Sequence, residues 1–396
     1  MISKINNIEY LVGSSDCDLK ADVPFSNEIC NFLGDLSVKL NNLQLSKKYP
    51  DIKTLAFWCR KKNILNLQKK LNTNESRLGL GLIFHITPSN IPTNFAYSLI
   101  FGLLTGNSNI VKVPSKKFEQ IEIICSAMQE LIKKKYKTIK KKITIVRYNN
   151  NDEYTKKISL ICNARLIWGG DNTISNIRKI SLNQKALDLS FADRYSLSVI
   201  NLKELKKNSK FEIKNLAEKF YNDTFVVDQN ACSSPHLILW LGQENTKIQM
   251  KFWNALSNHV DKKYLLPETG SVEKYNQLCS NILKLNNLKK YKIYNNSIYT
   301  VSLKKLDKNI HNLRGKWGYF YEYNIKNLNN IKNYINNRYQ TLTYFGLNKI
   351  VLRNFAIKNR LDGIDRIVPI GQALDINFFW DGYDLNKILT RIIDIR

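Results

Sequence analysis

The sequence predicts an α/β protein: a doubly wound, mainly parallel sheet followed by a second, smaller α/β unit. Three observations lead to this class. From Leu78 onward, short apolar runs alternate with longer amphipathic ones, the pattern of strands joined by crossover helices. The scarce backbone-shaping residues bunch: the chain has 16 Gly and 8 Pro, yet Gly79, Gly81, Pro88, Pro92, Gly102, Gly106 and Pro114 fall within one short region of constrained turns. Finally, 396 residues with 43% hydrophobic and 11% aromatic content suffice for a large core and two domains.

The elements follow in order. Residues 1 to about 78 read as mostly helical, with a basic amphipathic stretch from Ile52 to Leu71 whose core side is Leu55, Trp58, Leu65 and Leu67. Strands are then predicted at Leu80–Ile86, Asn109–Val113, Ile143–Arg147, Arg165–Trp168 and Tyr195–Asn201. Between them, helices are predicted at Thr93–Leu104, Lys117–Lys134, Asp152–Cys162 and Asp171–Ile180. Such a sheet binds nucleotides at the carboxyl ends of its strands. A second unit starts near 204 with a helix from Leu205 to Tyr221, a polar turn, and the strand His236–Leu241. The expected domains are thus 1–203, binding a dinucleotide, 204–372, carrying the nucleophile, and a tail 373–396. That tail is expected to end in a helix from Leu385 and to return to the core or form an oligomer contact.

The chain carries 61 Lys+Arg against 33 Asp+Glu, a net charge of +28. A polyanionic or acidic partner must therefore be considered. The lysines are dispersed, however, and Asn and Ile, which share A/T-rich codons with Lys, are abundant too, so codon bias accounts for the excess and no nucleic-acid partner is expected. Seven cysteines, odd in number and without a CxxC pair, suggest neither a disulfide framework nor zinc; a reducing cytoplasm fits best. The longest apolar stretch, Phe95 to Leu104, is too short to span a bilayer, and no membrane span is expected.

Four turns carry the chemistry. Asp228-Gln229-Asn230-Ala231-Cys232-Ser233-Ser234-Pro235 sets a thiol in a polar turn at the mouth of a strand, a nucleophile's place, although a lone Cys is more often a buried core thiol. In Thr87-Pro88-Ser89-Asn90-Ile91-Pro92, two prolines flank Asn90, whose amide can donate without titrating, as an oxyanion hole requires; turn formation alone would also explain it. Lys112 ends a strand where a cofactor ribose or phosphate would lie, or is simply solvated. Gly169-Gly170 forms a strand-to-helix turn that lets backbone approach a pyrophosphate. The GxGxxG fingerprint is absent, so an ordinary Rossmann dehydrogenase is not indicated.

Taken in order, the strings HITPSNIP, LTGNSNIVKVPS, RLIWGGDNTISNIR, LSFADRYS, DQNACSSP, YQTLTYFG and GIDRIVPIGQALDINFFWDGYD resemble the aldehyde dehydrogenase superfamily. The resemblance is closest to its acyl-CoA reductase branch, the LuxC-type reductases of bacterial fatty-acid reductase complexes. It implies an aldehyde dehydrogenase-like fold with Cys232 as the acyl-accepting nucleophile and Asn90, beside the Cys232 amide, as oxyanion donor. Lys112 and Ser115 would face the adenosine ribose or its 2′-phosphate, and Gly169 and Gly170 would meet the pyrophosphate. It further implies NADPH as cofactor, no metal, an acyl-CoA, acyl-carrier or acyl-protein donor, a partner acyl-protein synthetase, and a homo-oligomer. Two positions depart from the pattern. Asp171 stands where Ser or Thr is common and is expected to cap its helix and point away. Where hydrolytic members place a water-activating Glu, the nearest residue is the shorter Asp188.

The expected reaction is reduction of a long-chain acyl thioester to the aldehyde through a thioacyl-Cys232 intermediate. The rivals are a hydrolytic NAD(P)-dependent aldehyde dehydrogenase and, from another class, a basic nucleic-acid-binding protein or a non-catalytic scaffold. His236 lies four residues past Cys232, roughly 13 Å away along a strand, and reads as a strand histidine. Asp365, Arg366 and Asp381 read as structural.

Overall fold

The computed structural model describes residues 8–69, 76–149 and 152–396. Two compact units emerge, residues 1–193 with 377–396, and residues 194–376. In the first, β1 (Glu9–Val12), helices α1 (Asn27–Asn42), α2 (Pro50–Trp58) and α3 (Lys61–Lys69) and β2 (Arg77–Gly79) precede the sheet core. There follow β3 (Leu82–Ile86), α4 (Asn94–Leu104), β4 (Ser108–Val113), α5 (Glu119–Lys134), β5 (Ile143–Arg147), α6 (Asp152–Ile161), β6 (Ala164–Gly169), α7 (Asp171–Arg178) and β7 (Leu187–Ala192).

The first sheet has the order β1-β5-β4-β3-β6-β7. Only β1 runs antiparallel, against β5. Every residue of β3 is buried, as is α4 from Phe95 to Leu104, because this helix covers a strand itself closed on both faces. Three sequence readings change here. The helix expected from Ile52 breaks at Cys59 and Arg60 into α2 and α3, and its expected end at Leu71 lies outside the described residues. The largely helical N-terminal region also contributes a strand, β1. β7 was not anticipated: it is an edge strand, and its exposed Leu187 and half-exposed Asp188 and Ser190 dilute the apolar signal.

The second unit holds β8 (Tyr195–Asn201), α8 (Leu202–Lys207), α9 (Lys210–Thr224), β9 (Pro235–Leu241), α10 (Thr246–Lys263) and α11 (Glu268–Lys284). These continue into β10 (Leu288–Tyr294), β11 (Ile298–Leu303), β12 (Tyr319–Ile325), β13 (Tyr339–Phe345), α12 (Lys349–Lys358) and β14 (Arg366–Pro369). The sheet order is β10-β11-β12-β9-β8-β13-β14, with β10 antiparallel and the others parallel. β8 pairs with β9 and β13, so this strand belongs to the second sheet and not, as a boundary at 203 implied, to the first. The single helix expected over 205–221 is two, because Ser209 starts α9 with a capping box closed by Glu212. The tail forms β15 (Phe379–Trp380), β16 (Tyr383–Asp384), α13 (Leu385–Ile388) and β17 (Thr390–Ile392). It returns to the first unit, where β17 pairs antiparallel with β2; the expected terminal helix is only four residues long.

Candidate active site

In the first unit the candidate positions gather at one sheet edge. Ile86, Lys112 and Ile167, near the carboxyl ends of β3, β4 and β6, stand opposite one another in register. From β3 the chain winds outward to β4 and β5, then returns to β6 on the other side of β3 and continues to β7. The crevice beyond the ends of β3 and β6 is therefore the topological switch point, where ligands bind in such sheets.

The loop after β3 carries Asn90, which is exposed, and is anchored at its base by Thr87, whose amide and hydroxyl both donate to the Lys112 carbonyl at 3.1 and 2.8 Å. The half-buried Lys112 ammonium sits 5.0 Å from the centre of the Tyr148 ring, and burial holds its pKa below the usual lysine value. The Ser115 hydroxyl donates to the Tyr148 carbonyl at 3.2 Å. Gly170 is the N-cap of α7 and thus places no side chain over the first turn. A Cβ at Gly170 would meet nothing within 4 Å, whereas one at Gly169 would come within 3.3 Å of Thr173. The backbone at Gly170 is consequently open to close approach by a ligand.

Beneath this edge runs a buried polar chain that the sequence did not disclose. Trp168 Nε1 donates to Ser98 Oγ at 2.9 Å, and Ser98 Oγ lies 2.7 Å from His85 Nδ1. Nε2 of the same ring is 2.9 Å from Asn109 Oδ1, an acceptor, which makes Nε2 the protonated nitrogen. Burial drives the His85 pKa down to about 4, so the ring is neutral and structural. Asp188 lies at the start of β7, opposite Arg165, about 13 Å along the strand from the carboxyl edge. The buried Arg165 guanidinium grips both its oxygens, at 2.6 and 3.3 Å.

In the second unit, Cys232 lies in the turn before β9, half-buried and in no disulfide. The turn is held by backbone that few residues tolerate: Asp228 and Gln229 adopt φ of 53° and 60°. Gln229 is its hub. Its side-chain nitrogen donates to the carbonyls of Pro235 and Tyr319 at 3.0 and 3.1 Å, and its oxygen accepts the Gly318 amide at 3.1 Å. Ser196 Oγ donates to the Cys232 carbonyl at 2.6 Å and accepts the Thr341 amide at 3.1 Å. Ser234 Oγ donates to the Asp223 carbonyl at 2.7 Å. The Asp223 carboxylate in turn accepts the amides of Gly371 and Ala373 at 2.7 and 2.8 Å, while Arg366 donates to the carbonyls of Gln372, Ala373 and Asp375. The thiol turn and the 371–375 loop thus share one anchor.

His236 is buried against Tyr195, with Nδ1 accepting the Gly315 amide at 3.3 Å; burial, then the nearby Arg314, lowers its pKa to about 3. Gln229, Ser196 and Asp223 were missed by sequence reasoning. A polar residue buried by distant backbone leaves no periodic trace; the only available signal was the proximity of Gln229 to Cys232. Among the described residues, no three His, Cys, Asp or Glu side chains gather into a group that could hold a metal ion, and no helix is long and apolar enough to cross a membrane.

Two wound sheets, one opening a nucleotide-type crevice and one presenting a cysteine turn, define an aldehyde dehydrogenase-like α/β fold. Solved structures agree. An oxidoreductase from Marinobacter aquaeolei matches with a TM-score of 0.65 at 12% identity, over 96% of this chain and 88% of that one. Lactaldehyde dehydrogenase from Escherichia coli gives 0.62 at 10%, over 92% and 85%. An NAD-dependent aldehyde dehydrogenase from Sinorhizobium meliloti gives 0.63 at 10%, over 92% and 81%. At these identities the likeness is one of fold. No curated protein matches the chain by sequence. The chain belongs to the acyl-CoA reductase (LuxC) family, whose pattern it matches over residues 53–391, and is an oxidoreductase of that family.

Proposed function

We propose that the protein reduces a long-chain acyl thioester to the aldehyde, with NADPH as reductant and Cys232 as the covalent acceptor. The observation that carries reduction over hydrolysis is the ion pair of Asp188. The carboxylate nearest the place of a water-activating Glu is locked onto Arg165, at the amino ends of the strands and away from their carboxyl ends. A thioester reductase has no need of that base.

The Cys232 thiolate attacks the acyl carbon, forming a C–S bond. The oxyanion takes hydrogen bonds from the Asn90 amide, assigned on the family motif, and from the Cys232 backbone N–H, each worth on the order of 3 kcal/mol in the barrier. When the oxyanion re-forms the carbonyl, the bond to the donor sulfur breaks and the carrier thiol leaves with a proton. The residues of the first unit suit a dinucleotide: Gly170 leaves room for a pyrophosphate at the α7 N-terminus, and Lys112 offers a cation beside β4. A nicotinamide bound there would supply hydride to the acyl carbon; the C–S bond to Cys232 would then break as the carbonyl re-forms, releasing the aldehyde and restoring the Cys232 thiolate. Ser115, already donating to Tyr148, has only lone pairs to offer and suits a ribose hydroxyl, which leaves a 2′-phosphate to Lys112. Asp171, exposed in the first turn of α7, opposes a phosphate only if it turns inward.

The acyl donor is acyl-CoA or an acylated carrier or partner protein, and the enzyme acts as a homo-oligomer. Incubation of wild-type protein with acyl-CoA, without cofactor, should add one acyl mass, and Cys232→Ala should abolish both adduct and reduction. An adduct on Cys232→Ala, or reduction at the wild-type rate, would overturn the assignment. Aldehyde with oxidised cofactor, set against acyl-CoA with reduced cofactor, separates hydrolytic oxidation from reduction.

A further inference from the structure

β10 is the outer strand of the second sheet: among the described residues it pairs with β11 alone. Its alternation puts Tyr291 and Ile293 on the same face as their partners Val301 and Tyr299. That face is covered by α11, whose Leu278 packs in the same core cluster as those two partners. The flank of α11 turned towards β10 can be read from its contacts. Gln277 and Asn281 reach the Tyr319 and Tyr321 hydroxyls of β12, on the inner side. Tyr275 and Cys279 lie instead by Tyr299 of β11, whose pKa is raised first by burial and then by these two neighbours.

The outer flank of α11 is unusually apolar for a surface. Val272 is 60% exposed, Tyr275 57%, Ile282 46% and Leu283 83%, at helical spacing along one stripe. Beside them on the sheet edge, Tyr291 and Ile293 are 50% and 42% exposed. An apolar strip therefore runs next to a row of unpaired backbone groups, the arrangement that accepts an added strand.

Charge selects the occupant. Lys289, Lys290 and Lys292 lie on β10, with Lys284 ending α11 and Lys304 just after β11. The acidic groups nearby are Glu244, which takes Lys289 at 3.1 Å and Lys290 at 4.0 Å, Glu322, which is buried in the cavity beside Lys289 and Lys290 and held by Ser302, Trp240 and Trp253, Asp261, which takes Asn295, and Glu268 and Glu273 in the first turns of α11; Lys292 has none of them as an ion-pair partner. Pairing β10 antiparallel with the β10 of a second copy about Tyr291 would set Lys290 against Lys292 on both sides of the two-fold axis, which is destabilising across a ladder. We infer that the β10 edge and the α11 flank form a docking site for an extended segment of another protein, with acidic side chains alternating with apolar ones. The acidic side chains would meet Lys290 and Lys292 on one face. The apolar ones would lie against Tyr275, Ile282, Tyr291 and Ile293 on the other.

The site is tested on the full-length protein with three fluorescein-labelled, end-capped nonapeptides: alternating Glu/Val, alternating Lys/Val and alternating Glu/Gly. Anisotropy should show binding of Glu/Val alone, weakening as salt rises. The double variant Lys290→Glu/Lys292→Glu and the double variant Tyr275→Asp/Ile293→Asp should each lose at least about tenfold in affinity. All four residues are surface-facing and outside the proposed chemistry, so thermal melting and acyl-CoA reduction should stay at wild-type values. The inference fails if Glu/Val does not bind, if Lys/Val binds as well, or if both variants bind like wild type. It also fails if wild type proves to self-associate through this face, with the dimer lost in Tyr275→Asp/Ile293→Asp. Because binding is read directly, its failure is separable from failure of the proposed reaction.

Discussion

Asp223 shows how far a single side chain can depart from what its sequence position suggests. It is fully buried near the end of α9, where an acidic residue would ordinarily be solvated. Burial raises its pKa to about 7, against the opposing pull of the Gly371 and Ala373 amides. The sign follows from proton linkage. The folded state binds the proton more tightly than the unfolded chain, so Asp223 favours folding below its unfolded pKa, near 4, and this contribution is lost as pH rises to about 7. Asp223→Asn removes that titration while keeping one acceptor. Wild type should therefore lose stability relative to Asp223→Asn between about pH 4 and 7, by at most about 1.4 kcal/mol per pH unit. Urea denaturation of both proteins across that range would measure it; a pH-independent difference would show that the carboxylate is not buried as described. Lys274 is a similar case. Its ammonium is buried and donates to the carbonyls of Asn296, Ser297 and Trp317, holding the loop whose Trp317 and Gly318 amides meet the Asp228 carbonyl and the Gln229 side chain.

At the scale of elements, the parallel pair β6–β7 decides what Asp188 can do. Register sets Asp188 against Arg165 at the amino ends of the strands and Ala192 against Gly169 at the carboxyl ends. The residue that a linear reading placed nearest a catalytic base thus belongs to the structural end of the sheet. Asp188→Asn would strip the buried Arg165 of its carboxylate, and the loss should be about 3 kcal/mol. Once folded, however, the variant should hydrolyse the acyl-enzyme no more slowly than wild type. Denaturation midpoints and the decay of the isolated acyl adduct check the two halves. Slower hydrolysis in Asp188→Asn would return the residue to a catalytic role. The Cys232 turn is likewise an assembly of elements. α9, β12 and β8 each exchange a hydrogen bond with it, and the β8 and β12 partners lie 36 and 90 residues away in sequence.

Over the whole molecule, the net charge of +28 is less concentrated than the sequence suggests. In the densest basic run, Lys133 to Lys142, four of the seven lysines are matched: Lys134 with Glu130, Lys135 with Asp35, Lys141 with Asp16, and Lys142 with Asp18 and Asp22. The tail has a firmer role. β17 completes the β2 ladder, and Arg77 Nε donates to Thr390 Oγ1 at 2.7 Å. Deleting residues 390–396 should lower the thermal midpoint by on the order of 5 °C, and an unchanged midpoint would refute that role. The alternation of apolar strands with amphipathic helices was enough to determine the wound α/β class and the first sheet's strands from Leu82 to Trp168, because burial on both faces leaves a dense apolar record in each segment. The motif strings likewise determined the family. Tertiary structure alone decided that β8 joins the second sheet, that Asp188 is locked to Arg165, that Asp223 anchors both the thiol turn and the 371–375 loop, and that the tail closes on β2. Each of these depends on a partner many residues away, and hydrogen bonds between distant segments impose no period on the sequence.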